Sequence, residues 1–322
     1  LDNVVTAFNP MGFARGAKRV VVDVDANELK KHPMPLEQAI QADAKEYIDT
    51  MLTLVKPHHI RKPMPWHSMC AQWKHRYPPF DGKPFASTSA ISHYHLVEVL
   101  AEEIPEDTLI VTGSSGLGIE IFYSTFRNKR GQRIFLTSGL GAMGYGIPAV
   151  IGGAMAFGGN GIVGIESDGS LQMNLQELQT LRQHHLPIRL FIINNSGYAS
   201  IRSTQRTYFE GRHVGTGPEA GLYLADPVAV ASAMGIAAMR IDAVEHLREG
   251  IRHALAQRGP FLCDVHVMRD EAFCTKSAAI PQPDGSMVSM PLEDMSPLLS
   301  REELRANMLI PLADASLKVG MA

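Results

Sequence analysis

Residues 161–195 read GIVGIESDGSLQMNLQELQTLRQHHLPIRLFIINN, and this stretch decides the fold. An apolar run over 161–166 is followed by Asp168, Gly169 and Ser170. Leucines at 171, 175, 178 and 181 then share one face of a predicted helix, and a second apolar run, 188–194, ends on two asparagines. Two continuously apolar strands joined by a helix predict a parallel pair buried on both faces. Such a crossover brings both strand ends to the same edge of the sheet, so Asp168 and Asn195 are expected to face one another.

The alternation continues on either side. A helix is expected at 92–104, strands at 108–113 and 133–137, and an apolar helix at 143–157. After the asparagines come a helix in DPVAVASAMG, a strand in AAMRID, a helix in VEHLREGIRHALAQ and a last strand in PFLCDVHVM. The fold class is therefore α/β, a parallel sheet with helices on both faces. Upstream, RVVVDVD (19–25) has the character of a buried strand, and 34–55 turns helical in its second half, which together make a fragment of a Rossmann-like domain. Prolines at 57, 63, 65, 78, 79 and 84 predict an extended linker over 56–90 rather than a helix. The organisation expected is 1–55, a linker 56–90, a main domain 91–270 and an irregular tail 271–322, whose Met and Leu residues supply apolar docking points.

Composition narrows the function. With 45% apolar and 20% charged residues the chain can bury a sizeable core, and a net charge of −3 offers no basic surface for nucleic acid or membrane. A small-molecule partner is expected. The 3 cysteines, Cys70, Cys263 and Cys274, are too far apart for a disulfide framework or a zinc knuckle. Residues 147–159 are too short an apolar stretch to cross a bilayer, and the first ten residues lack the layout of a signal peptide, so a cytoplasmic protein is expected. The absence of an initiator Met, with a strand so close to the start, suggests a piece of something larger.

Two readings compete at TSGLGAMGYG. Gly139, Gly141 and Gly144 have GxGxxG spacing and Glu166 ends the next strand, as in a dinucleotide site using NAD. Against this stands the pair Asp168 and Asn195. A carboxylate, an amide oxygen and a carbonyl of the following turn are hard ligands suited to Mg²⁺, which completes its shell with phosphate oxygens. Backbone N–H groups of Gly169, Ser170 and the first helical turn point to the same spot, where a diphosphate fits. Each motif alone is an ordinary turn, with Ser170 as a helix cap; together they imply a phosphorylated cofactor.

ESDGSLQMNLQELQTLRQHHLPIRLFIINNSGYASI resembles the thiamine-diphosphate signature, an aspartate turn followed by paired asparagines, and TSGLGAMGYGIPAVIGG resembles the preceding glycine turn of acetolactate-synthase-like enzymes. The resemblance implies thiamine diphosphate and Mg²⁺ as cofactors, with Asp168, Asn195 and the Gly197 carbonyl as metal ligands. Gly169 and Ser170 would hold the diphosphate, aided by Gly113, Ser114 and Ser115. The Gly141 carbonyl would meet the aminopyrimidine amino group, and Met143 would wedge the cofactor into its bent form, bringing its own nitrogen to the reactive carbon. Ala142, Ser167, Tyr198 and Ala199 complete the expected shell. The activity implied is that of a lyase or carboligase acting on a 2-oxo acid or diketone in a homodimer or homotetramer; a non-catalytic cofactor-binding subunit is a third reading.

The activating glutamate of this family belongs to an N-terminal pyrimidine-binding domain, and no glutamate here matches its context. It is expected from a missing part of the chain or another subunit. Ser167 stands where the family has glycine, and the stretch after NN lacks the tryptophan that shapes the acceptor pocket of acetolactate synthases. Donor and acceptor stay open, as does binding of FAD by the partial middle domain. Glu120, Arg202 and Arg206 follow the cofactor turns and are better placed to face substrate than the histidines, a solvated surface charge being the commoner fate of each, whereas Glu166 is incidental once the dinucleotide reading yields. The histidine pairs 58–59 and 184–185 are given no catalytic role.

Overall fold

The computed structural model describes residues 6, 9–56, 64–78, 90–114, 116–137, 139–158, 161–277, 279–281 and 286–319. They form two compact units, one of 1–78 with 274–322 and one of 79–273.

The larger unit contains α4 (His93–Glu103), β3 (Leu109–Thr112), α5 (Leu117–Thr125), β4 (Arg133–Phe135), α6 (Gly146–Phe157), β5 (Ile162–Ser167), α7 (Asp168–Leu171), α8 (Leu178–Gln183), β6 (Ile188–Asn194), α9 (Ala199–Tyr208), α10 (Pro227–Ala233), β7 (Ala237–Ile241), α11 (Leu247–Leu255) and β8 (Phe261–His266). Its six strands run parallel in the order β4-β3-β5-β6-β8-β7. Successive side chains of a strand point to opposite faces, and β6 displays this: Phe191 and Ile193 join the core under α4, α5 and α11, while Leu190 and Ile192 join the one under α6, α8 and α10. The doubly covered parallel sheet expected from the sequence is what forms.

The helix expected at 171–185 is broken. Residues 172–177 are 3₁₀ and Asn174 leaves helical geometry (φ −141°, ψ 38°) between α7 and α8. An Asn side chain offers the backbone a competing bond, which is found here at Gly144 and described below. The apolar face survives the break, since Leu171, Leu178 and Leu181 are buried and Leu175 packs against them. α5 and α9 carry no sequence expectation; both follow Gly-rich turns whose punctuation hides the short helices behind them.

In the smaller unit β1 (Val20–Asp23) pairs in parallel with β2 (Gln38–Gln41), alongside α1 (Ala26–Lys30) and α2 (Ala44–Leu54). α3 (Met64–Arg76) corrects the extended reading of 56–90. Its only proline, Pro65, sits in the first turn, where a missing N–H costs no helical bond, so the prolines frame a helix rather than forbid one. Trp73 Nε1 donates to Asn307 Oδ1 at 2.8 Å, tying α3 to the tail helix α12 (Arg301–Asn307). The tail is less irregular than expected: β9 (Ala279–Pro281) pairs with β10 (Met287–Ser289), and α13 (Asp314–Leu317) follows α12. Asp294, buried, receives two bonds from Arg301 at 2.5 and 2.9 Å. Among the described residues no helix is long and apolar enough to cross a membrane.

Leu178 is the fully buried anchor beyond the break. Leu178→Ala is expected to lower the urea midpoint at unchanged m, by about 2–5 kcal/mol of stability.

Candidate cofactor and metal site

The turns after β3, β5 and β6 meet at one edge of the large sheet. From β3 the chain moves to β4 on one side, and from β5 to β6 on the other. At such a switch point the connections leave in opposite directions and open a crevice outside the strand ends. Here a pocket of about 200 Å³ is walled by Gly116, Leu117 and Glu120, by Ser167, Gly169 and Ser170, and by residues between Asn195 and Ile201. Met143 stands in its wall, 41% exposed.

Parallel register sets Ser167 opposite Ile193, so Asp168 and Asn195 emerge side by side. The Gly197 N–H donates to Asp168 Oδ2 at 2.8 Å and closes the second turn onto the first. The other oxygens are left over. Among the described residues Asp168 Oδ1, Asn195 Oδ1 and Ser167 Oγ are buried without a hydrogen-bond partner, a cost of about 1–3 kcal/mol for each. A carboxylate and an amide oxygen in that condition suit a hard cation. Among the described residues no three His, Cys, Asp or Glu side chains gather as a metal cluster. Burial pushes the Asp168 carboxyl up to about 6; N–H groups of Gly197 and Gly169 oppose it, Asp264 adds to it, and Arg202 counters.

The two asparagines divide their work. Asn194 Oδ1 accepts from the Ser196 N–H at 3.1 Å and its Nδ2 donates to buried Asp264 at 3.0 Å, shaping the turn that leaves Asn195 Oδ1 unpaired. Ser196 lies at φ +60°, and at Gly197 (φ +127°) a Cβ would stand 2.3 Å from the Thr216 carbonyl oxygen. Only glycine fits there.

Several expected residues take other places. Arg202 does not face substrate: it is fully buried, bonded to Asp270 Oδ1 at 2.9 Å and to the carbonyls of Asn195, Thr216 and Arg269 at 2.9, 2.8 and 2.7 Å. It staples the metal-side turn to its neighbours. Arg206 is half-exposed and pairs with Asp270 at 3.0 Å, whereas Glu120 does line the pocket. Ser114 Oγ donates to the Ala142 carbonyl at 2.7 Å, so its hydroxyl holds the opposite turn. Gly113, Ser114, Gly141 and Ala142 sit outside the pocket's immediate lining, and Asp168 borders an adjoining cleft with Asn194, Ser196, Tyr223 and Arg240. Tyr198 and Ala199 line the pocket; Ser115 and the histidines 58 and 59 lie outside the described residues.

Glu166 is neither a ribose ligand nor incidental. Fully buried, it accepts from the N–H groups of Gly146 and Ser167, both at 2.9 Å, and from the Ser170 hydroxyl, with burial raising its carboxyl above the ordinary range. The dinucleotide reading also fails on topology. β3 lies between β4, which leads into the glycine turn, and β5, which carries Glu166, so the acid is not on the neighbouring strand. His93, 3.0 Å from Glu271 through Nδ1, is buried in the wall of α4 and forms no part of the pocket.

A carboxyl raised from 3.8 to about 6 on folding holds a proton that the unfolded chain has released, so it loses stability as pH rises between those values. Without metal, the stability of the protein relative to Asp168→Asn is expected to fall by up to about 3 kcal/mol from pH 4 to 6.5 and then level off, as read by denaturant titration.

Residues 115–265 match the family of the thiamine pyrophosphate enzyme C-terminal TPP binding domain. The acetolactate synthase large subunit of Porphyra purpurea is 30% identical over 264 residues, covering 80% of this chain and 43% of the relative. Acetolactate synthase 2, chloroplastic, of Zea mays is 31% identical over 269 residues, covering 80% and 41%. The chain thus spans less than half the length of these curated relatives. Among solved structures, the Rhodococcus jostii RHA1 thiamine diphosphate-dependent 4-hydroxybenzoylformate decarboxylase has the same fold, with a TM-score of 0.62 at 22% identity over 80% of this chain and 45% of that one. These matches support an acetolactate-synthase-like, thiamine-pyrophosphate-dependent C-terminal region, with residues 115–265 similar to the TPP binding domain of that family.

Proposed function

We propose that this chain is the diphosphate- and metal-holding part of a thiamine-diphosphate-dependent lyase or carboligase that acts on a 2-oxo acid or diketone. The observation that carries the reading is the pair of buried, unpartnered oxygens, Asp168 Oδ1 and Asn195 Oδ1, at the switch point of the sheet. Mg²⁺ is proposed to be held by these two and by the Gly197 carbonyl, with backbone N–H groups of Gly169 and Ser170 receiving the diphosphate. Thiamine diphosphate, when bound, supplies a carbon nucleophile and an electron sink for breaking or making a C–C bond beside a carbonyl.

The residues of this chain prepare that chemistry. Met143, in the pocket wall, is proposed to bend the cofactor, and the Gly141 carbonyl to orient its amino group. Leu117 and Ala199 give the pocket a buried apolar wall, and Glu120 is proposed to face the substrate side of it. The activating glutamate is proposed to come from an N-terminal pyrimidine-binding domain in another part of the protein or another subunit. Assembly as a homodimer or homotetramer, in the cytoplasm, belongs to the same proposal.

Consumption of a 2-oxo acid such as pyruvate, assayed with that domain supplied, is expected to require thiamine diphosphate and Mg²⁺. Asp168→Ala should reduce it at least about 100-fold, since losing a ligand costs more than losing a residue that orients one. Full turnover by the variant would sink the assignment. A proton on Asp168 competes with the metal, so cofactor affinity should drop about tenfold per pH unit below about 6 and stay flat above it.

A further inference from the structure

We propose that Asn174 and Ser170 are positioning residues that lock the Gly141–Gly144 turn onto the Asp168 turn and so set where Met143 stands over the pocket. The proposal rests on the thiamine diphosphate reading above and goes beyond it, to how two separate turns are kept in register.

Gly144 is gripped at both ends. Its N–H donates to Ser170 Oγ at 2.8 Å, and its carbonyl accepts from Asn174 Nδ2 at 2.8 Å. The grip is close: Gly144 lies at φ +80°, and a Cβ there would stand 2.8 Å from both Asn174 Nδ2 and Met173 Cβ. Gln176 Nε2 donates to Asn174 Oδ1 at 2.9 Å, which fixes the amide with its NH₂ toward Gly144. To reach that carbonyl Asn174 abandons helical angles, breaking the segment between α7 and α8. A backbone departure of this kind costs free energy and persists where surrounding contacts require it. Ser170 is held in turn by Glu166, which also takes the Gly146 N–H, so residues 166–174 bind the 144–146 backbone at three points.

The consequence falls on Met143. Its side chain is 41% exposed, too open for packing alone to place it. A side chain in that condition is placed through its backbone, and the neighbouring peptide is the one Asn174 and Ser170 hold. The helix segment that starts at the diphosphate turn thereby also determines the distance from that turn to the wedge. Loss of the clamp should disturb a ligand that touches both turns and spare one that touches only the diphosphate turn.

Asn174→Asp keeps the shape and removes the donor; Asn174→Ala removes both. In the full chain with Mg²⁺, both variants are expected to lose roughly tenfold in affinity for thiamine diphosphate while binding inorganic pyrophosphate within about twofold of the unaltered protein. In the same variants the ¹³C-methyl NMR resonance of Met143 should move toward the free-side-chain position. Should Asn174→Ala fail to fold, the Asp variant carries the test. Equal losses for the two ligands would make Asn174 a merely structural residue and overturn the proposal, as would no loss for either or an unmoved Met143 resonance. Failure of the unaltered chain to bind thiamine diphosphate while the Met143 resonance responds would instead overturn the cofactor reading and leave the clamp standing as geometry.

Discussion

The six-residue parallel pairing of β5 with β6 is the constraint on which the site depends. Matching Ile162 to Ile188 and Ser167 to Ile193 sends both strands out of the same sheet edge within a residue of one another. Polar residues just beyond the ends, Asp168 and Asn195, then meet at a point where the sheet has begun to bury them. The apolar strand residues make the pairing secure: every second side chain enters one core and the rest enter the other, so a slip of one residue would exchange the two faces.

Around that point the protein leaves some polar groups unsatisfied and ties down the rest with care. Glu166, Asn194, Asp264, Asp270 and Arg202 are all consumed in bonds to backbone or to each other, several of them fully buried. Their role is to give the turns a single shape. Among the described residues Asp168 Oδ1 and Asn195 Oδ1 have no such partner, and burial raises the Asp168 carboxyl beyond what the Gly197 and Gly169 N–H groups and Arg202 offset. A cation supplied with a diphosphate would remove that cost, and the apolar frame would keep the coordination oxygens in place.

Much of this was legible in the sequence. The strand–helix–strand pattern revealed the parallel sheet because buried strands are continuously apolar, and the polar residues at their ends revealed where chemistry could gather. What pattern could not reveal was side-chain use. Arg202 follows a cofactor turn, as a substrate-facing residue would, yet it lies buried among four backbone carbonyls that no local signal brings together. Glu166 reads as incidental once the dinucleotide reading yields, and its use stays hidden because its partner Gly146 is 20 residues away and donates through backbone, which every residue possesses. The break at Asn174 was hidden by the leucine periodicity that continues across it, and α3 by prolines that mark its start instead of its absence. Periodicity reports burial of a face, whereas caps, staples and clamps depend on a single distant partner.

The most direct test of the central claim replaces Mg²⁺ with Mn²⁺ and follows the metal by electron paramagnetic resonance. Addition of the protein with thiamine diphosphate should convert the six-line aqueous spectrum to that of an immobilised ion. Asp168→Ala and Asn195→Ala should each leave the aqueous spectrum in place. An aqueous spectrum with the unaltered protein, or immobilisation undiminished in both variants, would contradict a metal held between Asp168 and Asn195.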